Sequence, residues 1–201
     1  ASLCGAGNRM YAQLDRELHF GFRRTGALVL AFSAEQEAGL RGLYDNGLAV
    51  GEQGLQLLRG EQVRSLEPAV SPAVRAALLA PSVGVTSPYE LAIALAESAL
   101  ANGVELLLEA EVTGIRLAPL EAGGGFVVTA AGREHRARYV VNAAGVYSER
   151  VTAFLGQPGF RIIPRQGQYL LFDRGTGDRL KRVIFQVPTR AGKGVLVTST
   201  F

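Results

Sequence analysis

Residues 138–151, RYVVNAAGVYSERV, join a β-branched run, a small-residue bend and a helical pattern in immediate succession. Such a strand–bend–helix unit restricts the chain to folds with a helix packed on a sheet. Alanine and glycine at Asn142-Ala143-Ala144-Gly145 leave backbone N–H groups uncovered, so a phosphate-bearing cofactor can approach closely. The same residues also serve an ordinary β-α turn that needs glycine for tight packing. The chain contains no G-x-G-x-x-G fingerprint, the element that completes a dinucleotide site. Gly5-Ala6-Gly7 imitates it, but Met10 stands where the third glycine belongs and no strand precedes it.

At 201 residues the chain can bury one full core or two interlocked lobes. Its 48% hydrophobic and 19% charged content excludes a disordered chain. The net charge of +3 comes from arginines scattered between Arg9 and Arg190, without a block, and this argues against a nucleic-acid surface. A single cysteine, Cys4, excludes an intrachain disulfide and a cysteine zinc site. His19 and His135 have no partner at metal-ligand spacing, so no metal is expected. No apolar run reaches membrane-spanning length. The expectation is a cytoplasmic protein, with peripheral attachment to the inner membrane face left open.

Hydrophobic periodicity predicts helices at 9–18, 34–45 and 61–66, and strands at 26–32, 76–80 and 84–86. The best-marked helix begins at Ser87-Pro88-Tyr89-Glu90. Ser87 fits the N-cap, Pro88 the first turn and Glu90 the capping box, with Asn102-Gly103 as the stop. The apolar run 104–108 then predicts a buried crossover strand. Strands at 111–117, 126–130 and 137–141 predict an antiparallel meander. A helix at 147–155 follows the bend, and three more strands are expected at 161–172, 182–187 and 194–200.

VELLLEAEVTGI, the meander and RYVVNAAGVYSERV together resemble the adenine-side half of FAD-dependent oxidoreductases of the D-amino-acid-oxidase superfamily. CGAGNRMYAQL, PSVGVTSPYELAIAL, FRIIPRQGQYLLFDR and VIFQVPTRAGKGVLVTST resemble segments of its glycerol-3-phosphate-dehydrogenase-like and L-2-hydroxyglutarate-oxidase-like branch. Nearly the whole chain is covered in collinear order. The resemblance implies an α/β fold of mixed α+β character. A partial Rossmann-like FAD-binding lobe with its meander would span 84–156. An antiparallel-sheet substrate lobe would combine 1–83 with 158–201. Because family members open with the missing fingerprint and close with a further glycine-rich segment, an interior fragment of a larger flavoenzyme is expected.

The resemblance also implies site residues. Val112 would meet the adenine through its backbone, and Ala143, Ala144 and Gly145 would form the cofactor bend. On the substrate side it points to Arg165, Gln168 and Tyr169 on a strand bordering the cavity, and to Lys193 as a phosphate-binding cation. Arginine clamps a carboxylate or phosphate with two parallel bonds, whereas lysine offers a point charge. The family's glycerol-phosphate members tend to carry arginine directly after the proline; Thr189 stands there, with Arg190 next. The implied activity is oxidation of a small anionic hydroxy compound by hydride transfer to FAD, with electrons passing to an acceptor such as a quinone. Glycerol 3-phosphate is the first choice of substrate and L-2-hydroxyglutarate the second. A degenerate, non-catalytic relative acting as a binding module is the other reading. No general base stands out among these residues.

Overall fold

The apolar run predicted at 26–32 becomes the spine of the larger sheet. The computed structural model describes residues 2–119, 123–156, 159–173, 175–188, 192 and 194–199. They form two units, one of residues 1–104 with 171–201, the other of residues 105–170. The first unit opens with helix α1 (Ser2–Leu18), strands β1 (Phe22–Arg23) and β2 (Ala27–Ala31), and helix α2 (Ala34–Ala49). Then come β3 (Gln56–Arg59), α3 (Gly60–Leu66), β4 (Ala76–Ala80), β5 (Val85–Thr86) and α4 (Pro88–Ala101). The second unit contains β6 (Val112–Leu117), β7 (Phe126–Ala130), β8 (Arg133–Ala137) and α5 (Ser148–Ala153). Strands β9 (Val183–Gln186) and β10 (Leu196–Val197) return to the first unit.

The first unit's sheet runs β10-β9-β2-β4-β3. Ala27 pairs with Ala80 on one side and Val183 on the other, antiparallel to β4 and parallel to β9. The sheet is therefore mixed, whereas an antiparallel one was expected. Alternate residues of β2 face opposite sides. Leu28 and Leu30 pack with Leu58, Val63, Val74, Ala77 and Ile184, while Ala31 packs with Leu40, Leu78 and Val187. Helix α3 covers one face through Val63 and α2 the other through Leu40. A strand buried on both faces reads as a continuous apolar run rather than an alternating one. Each fully buried leucine or valine contributes roughly 1.5–3 kcal/mol.

Glu67, fully buried, fastens the entry of β9 to the end of α3. Its Oε1 accepts the Lys181 N–H at 2.9 Å, and its Oε2 lies 3.7 Å from the Arg182 guanidinium. Arg182 also donates to the Leu66 carbonyl at 3.0 Å. In the sequence Glu67 is only the residue before Pro68.

Capping signals translate directly. The Ser87 hydroxyl accepts the Glu90 N–H at 3.3 Å, and Gly103 takes the left-handed conformation at φ 83° after the helix. Ser87→Ala is expected to cost about 1 kcal/mol, read as a lowered urea midpoint with an unchanged slope. Helix α2 runs beyond the predicted stop at Asn46-Gly47, because the left-handed glycine that ends it is Gly51, at φ 82°.

Three predicted strands do not form. Of the stretches 104–108, 137–141 and 161–172, only Ala137 joins a ladder among the described residues, as the last residue of β8, and Leu108 and Val141 are 77% and 88% exposed. An apolar, β-branched run becomes a strand only when another strand satisfies its backbone groups. The meander does form, in the order β6-β7-β8. Its third strand is β8, so the return strand comes directly after the Gly132 turn rather than at 137–141. The boundaries between the two units fall at 104/105 and 170/171, with α4 in the first.

Candidate functional site

The second unit gathers its chemistry where the first residue of β6 meets the 142–145 bend. Between Val112 and Gly114 the β6–β7 register shifts, with Val112 opposite Ala130 and Gly114 opposite Thr129. A bulge of this kind twists a strand end and re-aims its side chains. Here it lies on an edge strand of the meander, against which α5 packs.

Asn142 builds the bend. Its Nδ2 donates to the Ser148 carbonyl at 2.8 Å and to Thr152 Oγ1 at 2.9 Å, while its Oδ1 accepts the Ala144 N–H at 3.2 Å. One side chain thus locks the bend onto the first turn of α5. The Tyr147 N–H donates to the Ala144 carbonyl at 3.0 Å and closes the entry turn. Gly145 sits at φ 56°, yet an added Cβ would meet no atom within 4 Å. Glycine is required there for backbone conformation, not for room.

These elements enclose a pocket of about 390 Å³ lined by Glu111, Val112, Ala144, Tyr147, Arg150, Val151 and Phe154. That volume lies within the roughly 300–1,000 Å³ of small-molecule sites. Its floor is mostly apolar. At the rim Arg150 pairs with Glu111 at 3.1 Å, with both side chains about two-thirds exposed. A pair so solvated adds little stability, so its charges stay available to a bound polar group.

The structure brings Val112 and Ala144 into one pocket. Ala143 and Gly145 belong to the same bend but do not line it. Arg165, Gln168 and Tyr169 lie in an exposed stretch without regular structure, away from the lining. Lys193 lies outside the described residues. Sequence reasoning missed Glu111, Tyr147, Arg150, Val151 and Phe154. The last four follow i, i+3, i+4, i+7 spacing, one face of a helix, and that pattern was the available signal.

The helix predicted at 147–155 is shorter than expected. It spans six residues and is entered through a 3-10 turn at Gly145–Tyr147. The macrodipole sums aligned peptide dipoles and is small here, so the bend offers backbone groups and side chains rather than a strong helix end. Among the described residues no cluster of His, Cys, Asp or Glu could hold a metal ion. None of the described helices is long and apolar enough to cross a membrane. The first unit holds an open depression of about 490 Å³ between β3 and α3, lined by Gln56, Leu58, Glu61, Gln62, Ser65 and Leu66. It is larger, but Glu61 is the only ionisable residue in its lining, and no histidine, lysine or second carboxylate stands beside Ser65 there.

The sequence profile of the family described as FAD dependent oxidoreductase (DAO) matches residues 1–201. The chain is 40% identical over 194 residues to a glycerol 3-phosphate dehydrogenase of Caloramator mitchellensis, covering 96% of this chain and 40% of that protein. It is 29% identical over 197 residues to the mitochondrial L-2-hydroxyglutarate dehydrogenase of Mus musculus, covering 94% and 42%. It thus spans about two-fifths of the length of these curated relatives. Among solved structures, the L-alpha-glycerophosphate oxidase of Mycoplasma pneumoniae with FAD bound superposes with a TM-score of 0.78 at 23% identity, over 97% of this chain and 52% of that one. An L-proline dehydrogenase from P. horikoshii gives 0.73 at 20%, over 98% and 56%. At these identities the likeness is one of fold.

Proposed function

We infer function from one premise: this chain belongs to the family of FAD dependent oxidoreductases. The 142–145 bend and the first residue of β6 would hold the adenine side of the cofactor, and the observation behind this is that Val112 and Ala144 line the same pocket. The lining suits part of that group. Val112, Val151, Phe154 and Tyr147 offer apolar surface to a flat heteroaromatic ring, and the glycine at 145 leaves the bend open. The fit is incomplete, because the chain carries no G-x-G-x-x-G turn to grip the pyrophosphate.

The whole protein, of which these residues form a part, oxidises a small anionic hydroxy compound, with glycerol 3-phosphate as the best substrate. Bound FAD supplies the hydride acceptor. This chain's residues would hold the adenine through the Val112 backbone and the bend, and would neutralise and orient the substrate through Arg165, Gln168, Tyr169 and Lys193. The cofactor lobe would then take in 84–156, and the substrate lobe 1–83 with 158–201. Identity of 40% to a glycerol 3-phosphate dehydrogenase favours that substrate. L-2-hydroxyglutarate is the second reading, because Thr189 takes the place of an arginine that a phosphate would use and the 29% relative acts on a dicarboxylate by name.

Two measurements on the full-length protein test this. It should purify yellow, with flavin near one per chain, and reduce an artificial dye acceptor faster with glycerol 3-phosphate than with L-2-hydroxyglutarate. A colourless protein that gains no flavin on reconstitution would overturn the reading. The reverse order of rates would transfer it to the hydroxy acid. Residues 1–201 alone are expected to bind FAD weakly, without stoichiometric absorbance.

A further inference from the structure

Helix α5 has a second attachment, also in its first turn. The Ile162 N–H donates to Glu149 Oε2 at 2.6 Å, a short bond to a carboxylate, with both residues half-buried. Hydrogen bonds to an ionised acceptor are shorter and stronger than neutral ones. Among the described residues no other hydrogen bond ties 159–170 to the rest of its unit. Glu149 directly follows Ser148, whose carbonyl accepts from Asn142. The bend and the 160s segment are therefore both fastened to a single helical turn, one by Asn142 and the other by Glu149.

We propose that Glu149 is a positioning residue: it fixes the segment bearing Arg165, Gln168 and Tyr169 relative to the bend proposed to hold the cofactor. The inference rests on the function proposed above, because it assigns that segment to the substrate side. Arg165 follows the tethered amide by three residues, and at about 3.3 Å per extended residue its backbone stays within roughly 10 Å of that point. A fixed amide at 162 thus limits where the Arg165 guanidinium can meet an anion. Released, the segment explores many arrangements, and ordering it falls to the substrate. The loss then appears in substrate affinity, while flavin binding, secured through Asn142 and the pocket, is retained.

The test uses the full-length flavoprotein with Glu149→Ala, Glu149→Gln and Ile162→Pro. Glutamine keeps an acceptor oxygen, and proline removes the donor. Flavin content, kcat and KM for glycerol 3-phosphate and L-2-hydroxyglutarate, and hydrogen exchange of the peptide containing Ile162 are read in parallel. Glu149→Ala should raise KM about tenfold or more, leave flavin content unchanged and speed exchange at Ile162. Glu149→Gln should stay within about threefold of the parent. Glu149→Ala and Ile162→Pro combined should do little more than either alone, as for two halves of one interaction. An unchanged KM in Glu149→Ala, loss of flavin in step with activity, or failure of glutamine to rescue would each overturn the proposal. If Glu149→Ala does not fold, Glu149→Gln and Ile162→Pro carry the comparison. A parent protein without flavin would sink the function proposed above instead, and exchange at Ile162 in the variants would still decide whether the tether exists.

Discussion

Asn142→Ala in the full-length protein is expected to weaken FAD binding on the order of 10- to 100-fold while leaving the fold intact. The side chain makes three hydrogen bonds, to Ser148, Thr152 and Ala144, and none of them belongs to a core. Each such bond contributes about 0.5–1.5 kcal/mol net, and a factor of ten is about 1.4 kcal/mol. Asn142 is exposed, so its removal strands no buried partner and global stability changes little. What is lost is the preset shape of 142–145. At the proposed cofactor site the freed bend would have to be ordered on binding, and that cost would appear in affinity. Asn142→Asp separates the components. It keeps an acceptor for the Ala144 N–H, loses both donors and sets a carboxylate against the Ser148 carbonyl, so it should bind no better than alanine. Titration of apoprotein by quenching of flavin fluorescence measures both variants. An Asn142→Ala affinity within about threefold of the parent would dissociate the bend from cofactor binding.

The same substitution at two other positions should change stability in opposite directions. Gly60 begins α3 and is buried, with its N–H donating to the Arg75 carbonyl at 2.7 Å. A Cβ there would overlap the Val74 carbonyl oxygen and lie 3.2 Å from that of Arg75. Both obstacles are backbone and cannot rotate away, so Gly60→Ala has to push the 74–75 segment off its contacts. A cost of about 2–3 kcal/mol is expected. Gly42 lies within α2, and a Cβ there would meet nothing within 4 Å. Gly42→Ala removes unfolded-state freedom without a clash and should stabilise by about 0.5–1 kcal/mol. Urea unfolding followed by circular dichroism reads both. A neutral Gly60→Ala would mean that the β3–α3 junction relaxes freely.

The parts of the fold legible in the sequence were those whose causes are local. Ser87-Pro88 fixes the start of α4 through one hydroxyl and one ring, and GALVLAF declares a strand covered on both faces. The runs 104–108, 138–141 and 161–172 have the same composition as real strands. Their fate depends on partners elsewhere, which no local pattern encodes. Glu67 was illegible for a similar reason, since its partners lie 114 and 115 positions away, at Lys181 and Arg182. At the candidate site the small residues of the bend were readable, and the helix face behind them was readable in principle from its spacing. The role of Asn142 was not, because a side chain reaching six and ten residues forward depends on how the bend is folded.

Parallel pairing of β2 with β9 joins residue 27 to residue 183. During synthesis the strand at 27–31 leaves the ribosome about 150 residues before its neighbour on that side is made. Until residues 183–186 emerge, the nascent polypeptide displays an apolar strand with one edge unsatisfied, a surface that recruits chaperones or sticks to other chains. Slow codons or a pause between these points would lengthen that exposure. Yield of soluble protein should therefore respond more to translation speed across the codons for residues 31–183 than to speed after them.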